Sequence, residues 1–182
     1  MQTVPQRLEH DLTSFPGMLA DETVVWRAWL KLHEAEYVRF EYNIRLGPDQ
    51  DPGPAFLPAV RKNVILNHKL RIDAVGWKEI QNDLLPAIIE SPQQIYEIFP
   101  SAVAEIIEVK RRATQSATGE ILGYLAHWLE NWPSNPHPRI RLVAAAYAQT
   151  ILATVRAHAI LLDPIAVDFS ILRNPPKPTA GP

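Results

Sequence analysis

"IIEVKRRA", residues 106–113, decides how this chain is read. Ile106, Ile107 and Val109 surround one carboxylate, Glu108, and Lys110 follows two positions later. The longer run "VAEIIEVKR" (103–111) is rich in β-branched residues and reads as a strand. Side chains alternate along a strand, so Glu108 and Lys110 share one face with Ile106 further in, while Ile107 and Val109 take the other. An acid-x-Lys triplet on its own is common and usually marks a solvated strand face. The sharper reading is a carboxylate and an ammonium projecting together from the end of an apolar strand. What the rest of the chain brings to that face decides between them.

Outward from this stretch, helices and strands alternate. Residues 19–36 read as a helix, with Leu19, Trp26, Leu30 and His33 near one face and Trp29 beside them. "YVRFEYNIRL" (37–46) alternates polar and apolar residues as a strand does. A short helix is expected over 57–67 and a strand at "RIDAVGW" (71–77). Residues 82–99 are ambiguous because Pro86 and Pro92 interrupt them. After the 103–111 strand come a helix (116–132), a strand (139–147), a helix (149–160) and a last strand (165–172). The order predicts an α/β domain, a mixed sheet with helices on its faces. Trp26, Trp29 and Trp128 fall at core positions, and Trp77 and Trp132, near element ends, are read as packing residues with base stacking as the alternative.

The 182 residues suit one domain and can bury a sizeable core. Apolar residues are 47% and charged residues 21%, an ordinary globular balance. A net charge of −2 argues against a uniformly basic nucleic-acid surface but leaves room for a local basic groove. There is no cysteine, hence no disulfide framework, thiolate zinc site or cysteine nucleophile. The six histidines form no HxxxH or HxH pair, the spacing expected of a zinc site. "ATGEILG" (117–123) lacks the P-loop lysine, and no serine sits in a nucleophile elbow. No signal peptide is legible at the N-terminus and no apolar run approaches the ~20 residues of a membrane span. The expected location is the cytoplasm, or a particle assembled there, without membrane contact. The 17 prolines cluster in "GPDQDPGPAFLP" (47–58), "NWPSNPHPR" (131–139) and the tail "RNPPKPTAGP" (173–182), all read as loop or extended chain. The expected layout is an N-terminal extension (1–18), a domain (19–172) with an insertion at 80–102, and the tail (173–182).

Asp73 tips the balance. It stands in the apolar strand "RIDAVGW", where an acid is costly unless it is paired or binds a metal. If the two strands are neighbours, Asp73 and Glu108 converge on one cation, and hard oxygen ligands favour Mg²⁺ or Mn²⁺. The blocks "RIDAVGW" and "EIIEVKRR" (105–112), with their elements, resemble the PD-(D/E)XK nuclease superfamily, which includes restriction endonucleases and Holliday-junction resolvases. The likeness covers about residues 15–147. It implies a restriction-endonuclease-like core in the order α-β-β-β-α-β, with Asp73 as the first acid and Glu108 and Lys110 as the acid-x-Lys pair. It further implies Asp73, Glu108 and the Val109 carbonyl as metal ligands, and an acid on the first helix, which Glu22 matches. Glu22 also has a simpler reading, as a first-turn acid favoured by the helix dipole. Many members carry a Gln on the helix after the Lys. Glu120 stands there instead, and Gln115 nearer the helix start is a substitute. Arg111 and Arg112, just past the site, are candidates for contacts with backbone phosphates.

The activity implied is metal-assisted phosphodiester hydrolysis, with DNA as the substrate. "FPGMLA" (15–20), "RIDAVGW" and "EVKRRA" (108–113) also resemble blocks of small proteins encoded in tailed-phage and prophage genomes. This admits a second class of reading, a virion protein of the connector, neck or tail that keeps the fold with a vestigial site and binds other phage structural proteins. A third is a DNA-binding module without cleavage. A homo-oligomer is compatible with each. Asp73 and Glu108 are 108 − 73 = 35 positions apart, more than a hairpin needs, so the 80–102 segment is expected to be a helical arm over the site or a contact surface.

Overall fold

The computed structural model describes residues 2–3, 15–46, 71–85, 89 and 91–173. The helix expected over 57–67 and the proline-rich loop at 47–58 lie outside them. So do most of the N-terminal extension, residues 86–88 and 90 of the insertion, and the tail beyond Arg173. In chain order the described elements are β1 (Gln2–Thr3), α1 (Ala20–His33), β2 (Arg39–Arg45), β3 (Arg71–Lys78) and α2 (Pro92–Ile98). Then follow β4 (Val103–Ala113), α3 (Gln115–Asn131), β5 (Arg139–Tyr147), α4 (Leu152–Ala157), β6 (Leu161–Pro164) and α5 (Ser170–Arg173). Helix, three strands, helix and strand thus come in the order the sequence implied, and they build an α/β domain with a mixed sheet flanked by helices.

Among the described residues the strands lie in sequence order, β1 to β6. β2 pairs antiparallel with β3, from Arg39↔Trp77 to Arg45↔Arg71, and β3 with β4, from Lys78↔Val103 to Ala74↔Ile107. β4 and β5 are parallel, from Glu105↔Arg139 to Ala113↔Tyr147, and β5 and β6 are parallel from Arg141↔Leu161 to Ala144↔Pro164. A parallel neighbour cannot be reached by a tight hairpin, and α3 supplies the crossover from β4 to β5. β4, the strand of the opening stretch, is therefore central, with an antiparallel neighbour on one side and a parallel one on the other.

Alternation along β4 feeds two cores. Ile107 and Val109 join Trp26, Trp29, Phe40 and Tyr42 on the α1 side. Ile106 joins Trp77, Ile121, Trp128 and Leu142 on the α3 side. The α1 core is aromatic: the Trp26 and Trp29 rings stack at 4.8 Å, Trp26 meets Phe40 edge-on at 5.4 Å, and its Nε1 donates to Tyr42 Oη at 3.3 Å. "FPG" sets the entry to α1. Gly17 takes φ +87°, a conformation that disfavours a Cβ, and the turn returns Phe15 onto Tyr42 at 5.4 Å. Gly76 has a packing reason, since a Cβ there would lie 2.4 Å from the Tyr37 ring.

Two expectations change. The strand placed at 165–172 is instead β6 at 161–164, followed by a helical turn. Asp168 explains it: its carboxylate accepts the Ser170 N–H and hydroxyl, each at 2.8 Å, which caps a turn rather than extending a strand. The helix expected over 149–160 is a 3₁₀ turn, Gln149–Ile151, running into the short α4. The described part of the 80–102 segment packs into the α3-side core. Ile89 and Ile95 are fully buried, and Tyr96 meets Trp77 edge-on at 5.3 Å. No helix among the described residues is long and apolar enough to cross a membrane.

Candidate active site

The β3–β4 ladder ends at Ala74↔Ile107. Just beyond it the Val109 N–H goes to a side chain, and Asp73 Oδ2 accepts it at 2.9 Å. The acid of β3 therefore sits where the two strands part, held against the backbone of the acid-x-Lys segment. Glu108 is fully buried beside it, and its Oε2 has no hydrogen-bond partner among the described residues. Lys110, two residues further and on the same face, contacts Glu108 through its ammonium.

Two helices complete the cluster. Glu22, in the first turn of α1, lies with Oε1 3.4 Å from Lys110 Nζ. Its Oε2 accepts the Leu19 N–H at 2.9 Å, so the capping reading and the site reading describe the same side chain. Glu120 on α3 places Oε2 3.6 Å from Lys110 Nζ, while its Oε1 accepts from Ser116 at 3.1 Å. Gln115 does not join. Its Nε2 donates to the Thr150 carbonyl at 3.0 Å and its Oε1 accepts from Thr118, which ties the helix start to the loop after β5. The Val109 side chain is buried in the α1-side core, so its backbone is what faces the acids. Arg111 and Arg112 are exposed, with the Arg111 guanidinium 4.9 Å from the Phe169 ring centroid.

The electrostatics follow from burial. Loss of solvent pushes Asp73 up to about 6, although Lys110 and the Val109 N–H pull the other way. Burial, and next the charge of Asp73, raises Glu108 well above the usual carboxylate range. Burial pulls Lys110 down, but Glu108 and Asp73 outweigh it and hold the ammonium charged far above neutral pH. Four carboxylates (Asp73, Glu108, Glu22 and Glu120) thus face one ammonium. Tyr124 was missed by the sequence reading. It is buried on α3, and burial together with Glu108, Asp73 and Glu120 keeps its hydroxyl protonated. The available signal was helical spacing, four residues after Glu120 on the same face.

Among the described residues no three His, Cys, Asp or Glu side chains form a ready-made metal cage. The donor set nonetheless fits a small hard cation. Mg²⁺ is usually held by one or two carboxylates and keeps several waters. Here two buried acids converge, one of their oxygens lacks a donor, and each makes the other harder to ionise until a cation is present.

A repair endonuclease from Pyrococcus abyssi has a related structure, with a TM-score of 0.42 and 12% sequence identity over 81% of this chain and 47% of that one. This chain thus spans about half of that structure's length. No protein-family model and no curated protein matches the sequence.

Proposed function

We propose that the chain is a metal-dependent phosphodiesterase that cuts DNA, of the PD-(D/E)XK type. The observation that carries the reading is the convergence of Asp73, Glu108 and Lys110 at the point where β3 and β4 part, with more carboxyl groups than cations. Asp73, Glu108 and the Val109 carbonyl would hold Mg²⁺ or Mn²⁺, which when bound lowers the pKa of a water and stabilises charge on the phosphate. Lys110 stays charged and has three N–H donors, enough to face both the acids and a reacting oxygen. Its part is to orient the attacking water or to stabilise charge developing on the phosphate. Glu22 and Glu120 restrain the ammonium from either side, and Tyr124 offers a protonated hydroxyl nearby. Arg111 and Arg112 would contact backbone phosphates next to the cut.

The test is cleavage of plasmid and linear DNA by the purified chain, with Mg²⁺, with Mn²⁺ and with chelator. Cleavage is expected only with metal and is expected to fall about 10²–10³-fold in Lys110→Ala, the scale of losing one transition-state donor. Equal cleavage by the wild type and Lys110→Ala would remove the proposed role. The reading extends to a phage-encoded enzyme working in the host cytoplasm, on the likeness of the three sequence blocks to small tailed-phage proteins. Neighbouring replication or recombination genes are expected, and neighbouring portal or tail genes would favour a virion role instead.

A further inference from the structure

Lys110 Nζ touches Glu108 Oε1 and lies 3.4 Å from Glu22 Oε1 and 3.6 Å from Glu120 Oε2. The three carboxylates come from β4, α1 and α3, so tertiary packing fixes the ammonium between them. Among the described residues none of these acids has a second ion pair, and Asp73 has none. Lys110 is thus the whole counter-charge of the cluster among those residues. Acids packed where two strands part repel one another as they ionise, and one ammonium offsets part of that cost without any ion from solution.

The same carboxylate serves two cations in the proposed reaction. Glu108 Oε1 faces the ammonium, and Oε2 has no hydrogen-bond partner among the described residues. A divalent cation held by Glu108 and Asp73 therefore meets a positive charge already seated on the same carboxylate. At about 5 Å a unit charge and a divalent ion repel by roughly a factor of ten in affinity even at the dielectric constant of water. We propose that Lys110 is the built-in counter-ion of the acid cluster and holds down its affinity for a divalent cation, so that removing the lysine tightens metal binding while cleavage falls. The inference rests on the metal site of the nuclease reading and gives Lys110 a second task. A residue that merely braced the metal ligands would act with the opposite sign, because its loss would loosen the site and weaken binding.

The experiment is titration of the full chain with Mn²⁺, free ion being followed by electron paramagnetic resonance, at about pH 8, where protons compete little for the acids. It compares the wild type with Lys110→Met, Lys110→Gln, Lys110→Arg and Lys31→Met. Lys110→Met and Lys110→Gln are expected to bind Mn²⁺ about tenfold more tightly or better. Lys110→Arg keeps the charge and should stay within about threefold of the wild type. Lys31 is exposed on α1, so Lys31→Met changes the net charge equally and should match the wild type. Gln retains an N–H donor for the carboxylates, so Lys110→Gln keeps the proposal open to refutation if Lys110→Met does not fold. Unchanged or weaker binding in the neutral Lys110 variants overturns it. So does equal tightening in Lys110→Arg, which would make packing the cause, or in Lys31→Met, which would make it net charge. Metal-dependent cleavage with equal affinities throughout removes this inference alone. Tighter binding in the neutral variants, with no DNA cleavage by the wild type, removes the proposed function and leaves the inference standing. A chain that takes up no Mn²⁺ in any form overturns both.

Discussion

Glu105 and Glu108 stand three residues apart on β4, and both are fully buried. Their opposite parity sends them to opposite faces of the sheet, into different company. Glu105 accepts from the Tyr37 hydroxyl and the Arg141 guanidinium, with Lys78 Nζ at 4.0 Å. Arg141 also reaches Asp163, which accepts the Trp29 indole N–H at 2.7 Å. That network joins α1, β4, β5 and β6 and sets its two acids against Arg141 and two further donors, leaving Glu105 Oε2 without a hydrogen bond among the described residues. Glu108 instead shares one ammonium with three other carboxylates. A buried charge is tolerated when paired and donor-saturated, and is costly when it is not. The Glu105 network ties four elements together through a guanidinium, while the Glu108 cluster crowds four carboxylates around one ammonium.

The largest effect that could break this contrast is on stability. Glu105→Ala leaves Arg141 and Tyr37 facing an emptied buried site and is expected to destabilise the fold by about 3–5 kcal/mol, the scale for halving a buried ion pair. Denaturant unfolding measures it. A loss below 1 kcal/mol, roughly that of an ordinary surface change, would mean that the network is not structural.

Next comes the pH dependence of the metal-free protein. Asp73 has a folded value of about 6 against 3.8 for the ordinary carboxyl. Below the lower value both states hold the proton and the group's stabilisation is intact. Between the two the unfolded chain releases the proton and the folded one keeps it, so stability falls as pH rises through about 6. The loss is on the order of 3 kcal/mol, and the raised Glu108 extends it in the same direction. Asp73→Asn should remove this slope. A wild-type and Asp73→Asn pair with identical pH profiles would show the acids to be already satisfied.

The smallest effect reverses a sign. Glu108→Gln removes a buried carboxyl whose ionisation is opposed by burial and by Asp73, and Lys110 keeps Glu22 and Glu120. In the metal-free protein at neutral pH it is expected to raise stability by about 1 kcal/mol, because the unfolded chain no longer gains by releasing a proton that the folded one retains, while abolishing cleavage. Destabilisation comparable to Glu105→Ala would erase the distinction between the two faces.

Much of the domain was legible in the sequence. The strands at 71–77, 103–111 and 139–147 and the helices at 19–36 and 116–132 carry long periodic signals, and each is found within a few residues of its expected limits. Weaker signals moved. The 165–172 run looked like a strand because its residues alternate, but Asp168 could cap a turn and did. Glu120 was legible as a departure at a helix position, whereas Gln115 was drawn away by the Thr150 carbonyl, a contact no local pattern announces. Glu105 attracted no attention in "AEIIEVKRR", because its partners Tyr37, Arg141 and Asp163 are scattered along the chain.

By itself the sequence determined parity and order. Glu108 and Lys110 share a face because strand side chains alternate, and the succession of elements follows from hydrophobic period and turn chemistry. Only the tertiary structure decided which charges are matched. Pairing β4 between β3 and β5 placed Asp73 at the end of a ladder, with the Val109 N–H as its donor. It gave Glu105 an arginine and a tyrosine, and left Glu108 in a nest of acids. The reason is that a charge's free energy depends on its nearest partners and on exclusion of water, and both are set by residues distant in the chain.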